Sequence, residues 1–224
     1  LAAKRKVKTL EGLFDITMAK KIASEKGKAN LIIANNVLNH SDHPLEFIEG
    51  VSLLLDEQGT FVFEVPYWPI DYTKKKFDKI YHEHVNYFSL KPLKKLLKSQ
   101  GLTIVDLEHI DYHGGSIRVY AKKMGRLSPN VSEAILNQEQ MEINSGVFNA
   151  SNYKNFMNKI LFKRHQSLKK IYQLKGKGYS LIAIGAAARG NTSLNFLNID
   201  TKVIDYVTDI SSHKLGKFTP LTRI

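Results

Sequence analysis

Four consecutive residues, Tyr81-His82-Glu83-His84, bring a phenol, two imidazoles and a carboxylate together. The imidazole titrates nearest neutrality of all side chains, so a histidine there suits proton abstraction at working pH. A neighbouring carboxylate can orient the ring, and a tyrosine hydroxyl can donate to a developing oxyanion. A structural use stands beside this chemical one. In a helix, Phe77, Ile80, Tyr81, His84 and Phe88 fall on or near one face, and His84 would be a satisfied core histidine. His40-x-x-His43 and His82-x-His84 imitate metal spacing. No separate carboxylate set accompanies them, so no metal site is expected.

These residues need elements to position them. An apolar-alternating strand is expected over residues 7–10, then a helix over 16–26 that stops at Gly27. Residues 29–34, Ala-Asn-Leu-Ile-Ile-Ala, form the continuous apolar run of a strand buried on both faces. Asn35, Asn36 and His40 follow its carboxyl end. A helix begins near 41–44, with Ser41 or Asp42 as N-cap, and runs to about Leu55; a turn at 56–59 leads to a strand over 60–65. This strand–helix–strand alternation reads as parallel α/β. A lysine-bearing loop over 66–77 would deliver the Tyr81–His84 segment, and Ser89 would cap a helix ended by Gly101. Strands over 102–106 and 116–121, bridged by His113-Gly114-Gly115 with no helix between, suggest an antiparallel pair at the sheet edge. The set matches the second half of a class I methyltransferase-type sheet. Ligands in open α/β sheets sit at the carboxyl ends of strands, which is where Asn36 and His40 fall.

Residues 131–175 read as one long helix, followed by a buried strand over 181–185. That strand opens onto Ala186-Ala187-Ala188-Arg189-Gly190-Asn191, with a helix over 192–197 and a strand over 203–207 behind it. This is a second, small Rossmann-like unit, truncated at its end. A glycine turn before a helix N-terminus can cradle an anion, with Arg189 adding charge, although ordinary turn chemistry explains the same residues. The expected division is therefore 1–124 for a partial open-sheet α/β domain and 125–224 for a C-terminal domain. The latter splits into a helical connector, 125–178, and a Rossmann-like part, 179–224.

A net charge of +12 would permit contact with nucleic acid or acidic membranes. The lysines are spread along the chain and no nucleic-acid signature is present, so neither partner is expected. The same positive field serves an anionic small substrate. The sequence contains no cysteine, which excludes disulfides and thiolate zinc sites within it and fits a reducing, cytoplasmic setting. No apolar run approaches a membrane span, and no signal-peptide core stands at the N-terminus. The first residue is Leu1 and the chain stops after Pro220-Leu221-Thr222-Arg223-Ile224, so a fragment is expected.

Taken in order, several motifs resemble the S-adenosylmethionine-dependent sugar C-methyltransferases. They are Asn35 to His40, Glu64-Val65-Pro66-Tyr67, Tyr81 to His84, Tyr87-Phe88-Ser89, His113 to Arg118 and Gly185 to Asn195. Asp209 with Lys214 to Pro220 also looks like that family's C-terminal domain. Two departures stand out: Ala187 and Arg189 where the family has proline and lysine, and Leu221 where it has glycine. The resemblance implies methylation of the carbon beside the ketone of a nucleotide-diphosphate keto-deoxysugar, with S-adenosylmethionine as donor. It makes His84 the general base, with Glu83 orienting it or contacting the sugar and Tyr81 donating or positioning. Asn36 and His40 would face the donor, and Ser116, Arg118, Arg189 and Asn191 the sugar nucleotide. Zinc would belong only to a cysteine-bearing N-terminal segment absent from these residues. An oxygen or nitrogen acceptor, or a non-catalytic sugar-nucleotide module, remain the alternatives. Oligomeric state is not legible.

Overall fold

The computed structural model describes residues 3–112, 114–125 and 130–224. The chain divides into two compact units: the residues up to Trp68 with Asn86–Asn144, and Pro69–Val85 with Ser145–Ile224.

The first unit holds a four-stranded mixed sheet in the order β1-β2-β4-β3, built from β1 (Ala29–Asn35), β2 (Leu55–Pro66), β3 (Leu102–Ile110) and β4 (Ser116–Lys123). β1 and β2 run parallel, while β4 is antiparallel to both β2 and β3. This is the α/β methyltransferase arrangement with its antiparallel edge pair. Helix α1 (Ile16–Lys26) starts where the Asp15 carboxylate accepts the Met18 N–H at 2.7 Å, and it ends at Gly27. Helix α2 (Pro44–Leu54) places Pro44 at its first position, where a missing N–H costs nothing. Its N-cap is His43, not Ser41 or Asp42. The core gathers Leu38, Ile48, Val51, Phe61, Phe63, Leu93 and Ile117, all essentially inaccessible.

Several expectations fail here for identifiable reasons. Residues 7–10 form no strand, since no strand among the described residues pairs with them. β1 is not buried on both faces: Leu31 and Ile33 are 56% and 62% exposed, because β1 is the end strand of the sheet described. The loop expected over 66–77 contains a helix, α3 (Trp68–Lys74). Helix α4 (Leu90–Ser99) has Ser89 as N-cap residue, yet the Ser89 hydroxyl does not cap it. The carboxylate of Glu142, on α5 (Glu133–Ser145), accepts the Leu90 and Lys91 N–H groups instead. Glu142 also accepts the Tyr67 hydroxyl, which in turn accepts from Gln138. Burial first, and then the Glu142 carboxylate, push the Tyr67 phenol far above its usual range, so it stays a donor.

The single helix expected over 131–175 is two. α5 closes at Gly146, whose φ of 73° suits a residue without a Cβ, and Asn149 then caps α6 (Ala150–Gly176) by accepting the Ser151 N–H at 3.0 Å. In the second unit, β5 (Ile182–Ile184) pairs in parallel with β6 (Tyr206–Thr208), and α7 (Ala188–Leu197) connects them. β5 is not the buried strand that its apolar run suggests: Ile184 is 85% exposed, since among the described residues β6 alone pairs with it. Packing concentrates on the other side of the unit, where Ile199, Val203, Ile204 and Ile224 form a small core against Leu168 and Leu194.

Candidate active site

Residues 75–88 are not helical, so the shared helical face proposed for His84 does not form. A tight turn brings the His84 N–H onto the Tyr81 carbonyl at 3.0 Å. The Tyr81 hydroxyl then lies 3.0 Å from His84 Nε2, with the rings 4.4 Å apart. Burial first, and then the nearby Glu83 charge, raise the Tyr81 phenol above its ordinary pKa. In the tautomer that carries its ring proton on Nδ1, His84 accepts the Tyr81 hydroxyl at Nε2. His82 and Glu83 point to a wetter place: they are 3.9 Å apart, with side chains 86% and 57% exposed.

Three consecutive residues ahead of this turn fasten it down. Phe77 packs on Phe196 with centroids 4.2 Å apart. Asp78 accepts Arg189 Nε at 2.7 Å, and Lys79 reaches the Asp71 carboxylate at 3.0 Å. The Lys79 and Asp71 side chains are 3% and 2% exposed. Burial is the largest influence on both, raising the Asp71 carboxyl and lowering the Lys79 ammonium against their mutual attraction. Sequence reading passed over Asp71, Asp78 and Lys79. The available signal was two aspartates flanking the lysines of 74–76, a pattern that a solvated loop explains equally well.

A cleft of about 360 Å³ opens beside this segment within the second unit. Tyr81 and His82 line it together with Gly185–Ala188, Asn191 and the stretch from His213 to Pro220. Gly185 carries φ 88°, and its N–H bonds the Thr208 carbonyl at 2.7 Å, which turns the chain from β5 into α7. Asp209 organises the mouth by accepting Ala186 N at 2.8 Å and Ser211 N at 2.9 Å, with Lys214 Nζ at 3.3 Å. These bonds, that from Ser211 foremost, hold the Asp209 carboxyl below the usual range. The α7 N-cap, Ala187, offers no side-chain acceptor, so the first N–H groups of the helix remain available at the cleft. The Asn191 Oδ1 is buried and has no hydrogen-bond partner among the described residues.

The remaining candidates fall elsewhere. Asn36 follows β1 with φ 53°, its N–H on the Glu64 carbonyl at 2.8 Å. His40 is exposed at the end of a 3-10 turn, Leu38–His40. Between them Asn39 is 1% exposed, and both polar atoms of its amide lack a partner among the described residues. Ser116 is fully buried, donating to the Tyr112 carbonyl at 3.3 Å. Arg118 sits between its cross-strand neighbours Glu64 and Glu108, with Nε 2.7 Å and Nη1 2.8 Å from their carboxylates. These bonds, that to Glu64 foremost, raise its pKa further and commit the guanidinium to the sheet face. His113 lies outside the described residues. So Tyr81, His82 and Asn191 meet at one cleft, with Arg189 clamping the loop, whereas Asn36, His40, Ser116 and Arg118 belong to the other unit.

Residues 111–224 match the family described as "C-methyltransferase C-terminal domain", and residues 4–107 match a "Methyltransferase domain". The chain is 31% identical over its whole length to the C-methyltransferase NovU of Streptomyces niveus and spans 53% of that protein, about half. Among solved structures, a S-adenosylmethionine-dependent methyltransferase of Clostridium acetobutylicum aligns at 16% identity and TM-score 0.40, over 55% of this chain and 68% of that one. One from Anabaena variabilis aligns at 14% identity and TM-score 0.39, over 52% and 58%. Neither structural likeness is close enough to carry weight.

Proposed function

The chain belongs to the family of C-methyltransferases that carry this C-terminal domain, and from that premise we propose that the protein methylates the carbon beside the ketone of a nucleotide-diphosphate keto-deoxysugar, using S-adenosylmethionine. The observation that carries the reading is the Tyr81–His84 pair at 3.0 Å, with Tyr81 on the wall of a cleft whose other wall is a helix N-terminus. Carbon methylation next to a ketone requires removal of an acidified α-proton and support for the resulting enolate. His84 Nε2 takes the proton. The Tyr81 hydroxyl, which occupies Nε2 in the resting structure, turns to the ketone oxygen and donates to the charge that develops there.

S-adenosylmethionine, when bound, supplies the methyl group as an electrophilic sulfonium. Asn36, His40 and Asn39 are the residues present that would hold part of it. The unspent amide of Asn39 at the carboxyl end of β1 fits a ligand rich in polar edges. On the substrate side, the free N–H groups at the start of α7, Asn191 and Lys214 are the partners for the diphosphate. Arg118 and Arg189 act through carboxylates of the protein itself, Arg118 bracing the sheet and Arg189 holding the loop at Asp78. Domain extents of 1–124 for donor binding and 125–224 for the C-terminal part accompany this reading.

The test is to incubate the full-length protein with S-adenosylmethionine and a thymidine-diphosphate 4-keto-6-deoxysugar, then locate any new methyl group by NMR. A carbon-bound methyl beside the ketone is expected. A methyl on oxygen or nitrogen, or binding of the sugar nucleotide without transfer, would overturn the proposal.

A further inference from the structure

Away from the cleft, the second unit carries an electropositive pocket to which the methylation chemistry assigns no role. Helix α6 bears Lys154, Lys159, Lys163, Lys169 and Lys170, and the sequence contains no Asp or Glu between Glu142 and Asp200. Where α6 faces the end of α3, a pocket of about 330 Å³ is lined by Lys75, Lys159, Asn152, Asn155, Tyr72 and Phe156. Lys75 has φ 54°, a left-handed conformation uncommon for a residue with a Cβ. The ammonium is folded back, 2.8 Å from the Tyr72 carbonyl, 4.4 Å from the Tyr72 ring centre and 5.5 Å from that of Phe156. The Tyr72 and Phe156 rings stack at 5.4 Å and form an apolar wall. Among the described residues, no carboxylate lies within ion-pair distance of Lys75, Lys159 or Lys163. Burial first, then the charges of Lys159 and Lys163, hold the Lys75 ammonium below the usual lysine range.

A half-buried ammonium set in the field of two others, without a counter-ion, stores repulsion that an entering anion releases. We propose that this pocket binds a small phosphate-bearing anion of about pyrophosphate size, gripped by Lys75 and Lys159, with the Asn155 amide as a further donor and Lys163 adding to the field. Lysine is suited to this task as a point charge, and the adjoining rings leave room for a flat organic group attached to the phosphate. The pocket is separate from the cleft that holds Tyr81 and Asn191 and does not depend on the methylation reading.

Two measurements on the full-length protein decide it. Pyridoxal phosphate carries both a phosphate and an aldehyde that condenses with a lysine amine, and borohydride fixes the product for mass mapping. Lys75 or Lys159 should be labelled before the other lysines, and excess pyrophosphate should suppress that label. Labelling spread evenly over the lysines, or unmoved by pyrophosphate, overturns the proposal. In calorimetry with pyrophosphate, the Lys75→Met/Lys159→Met double variant should bind at least about tenfold more weakly than wild type, the scale of losing charged hydrogen bonds. Lys169→Met/Lys170→Met, with the same change in charge, should bind as wild type does. Equal losses in the two doubles would reduce the effect to diffuse surface charge. Asn191→Ala separates this pocket from the cleft, since it should leave protection of the Lys75 label intact.

Discussion

Replacing Lys79 by methionine should damage the protein in a way that a second substitution repairs. The pair Lys79–Asp71 is 3.0 Å apart with side chains 3% and 2% exposed, so Lys79→Met strands a carboxylate in the interior. Breaking one partner of a buried pair costs about 3–5 kcal/mol. At a slope of about 2 kcal/mol per M, that lowers the urea midpoint by about 1.5–2.5 M. Because burial already outweighs the attraction at both groups, the pair adds little as a pair, and Lys79→Met/Asp71→Asn should recover most of the loss. The pH dependence has a definite sign. The Asp71 carboxyl is raised in the folded state, and without Lys79 it rises further. A folded state that holds a proton more tightly than the unfolded one gains stability as pH falls. The Lys79→Met deficit should therefore be full above the folded pKa of Asp71. It should shrink as pH falls through the variant's folded value and level off once the wild-type Asp71, itself raised, also takes up its proton. The assay is urea unfolding of wild type, both single variants and the double at a series of pH values. Equal losses in Lys79→Met and the double, or a deficit that grows on acidification, would refute the reasoning.

Glu142→Leu removes the acceptor of the Tyr67 hydroxyl and the Leu90 and Lys91 N–H groups. Two of these donors, the Tyr67 hydroxyl and the Leu90 N–H, are buried, so at about 1–3 kcal/mol for each left unpaired thermal unfolding should report a loss of at least about 2 kcal/mol. Arg118→Met should lower the melting temperature, while the KM for the sugar nucleotide stays within about twofold of wild type, because the guanidinium is held by Glu64 and Glu108. A large rise in KM would return Arg118 to the substrate. Gly146→Ala places a Cβ at φ 73° and against the Asn152 amide, so chemical denaturation should show a loss of about 1 kcal/mol or more.

Much of the architecture was legible because it is local. The strand–helix alternation, the stop at Gly27 and the paired strands without an intervening helix each follow from periodicity and turn residues. The failures share a cause. An apolar run such as Leu31-Ile32-Ile33 has the same composition in a central strand and in an end strand, and only the pairing order distinguishes them. The break between α5 and α6 rests on Gly146 and Asn149, which look weak against a continuous polar helical pattern. At the candidate site, residue type singles out Tyr81 and His84, but their contact depends on a turn that propensity does not single out. Residue type shows that Arg118 and Arg189 can hold anions, but not which groups they hold in the fold. The carboxylates that claim them lie 10 and 54 residues away for Arg118 and 111 away for Arg189, beyond the reach of a local pattern.

The central claim, that His84 removes a proton beside a ketone, is tested most directly by solvent exchange. The full-length protein and its His84→Ala variant would be incubated in deuterium oxide with a thymidine-diphosphate 4-keto-6-deoxysugar, with and without S-adenosylmethionine, and followed by mass spectrometry. The account predicts deuterium uptake at the carbon beside the ketone and methyl transfer by the wild type. In the variant both should fall by about 10²–10⁴-fold while donor binding is retained. Near-normal turnover by His84→Ala would contradict it.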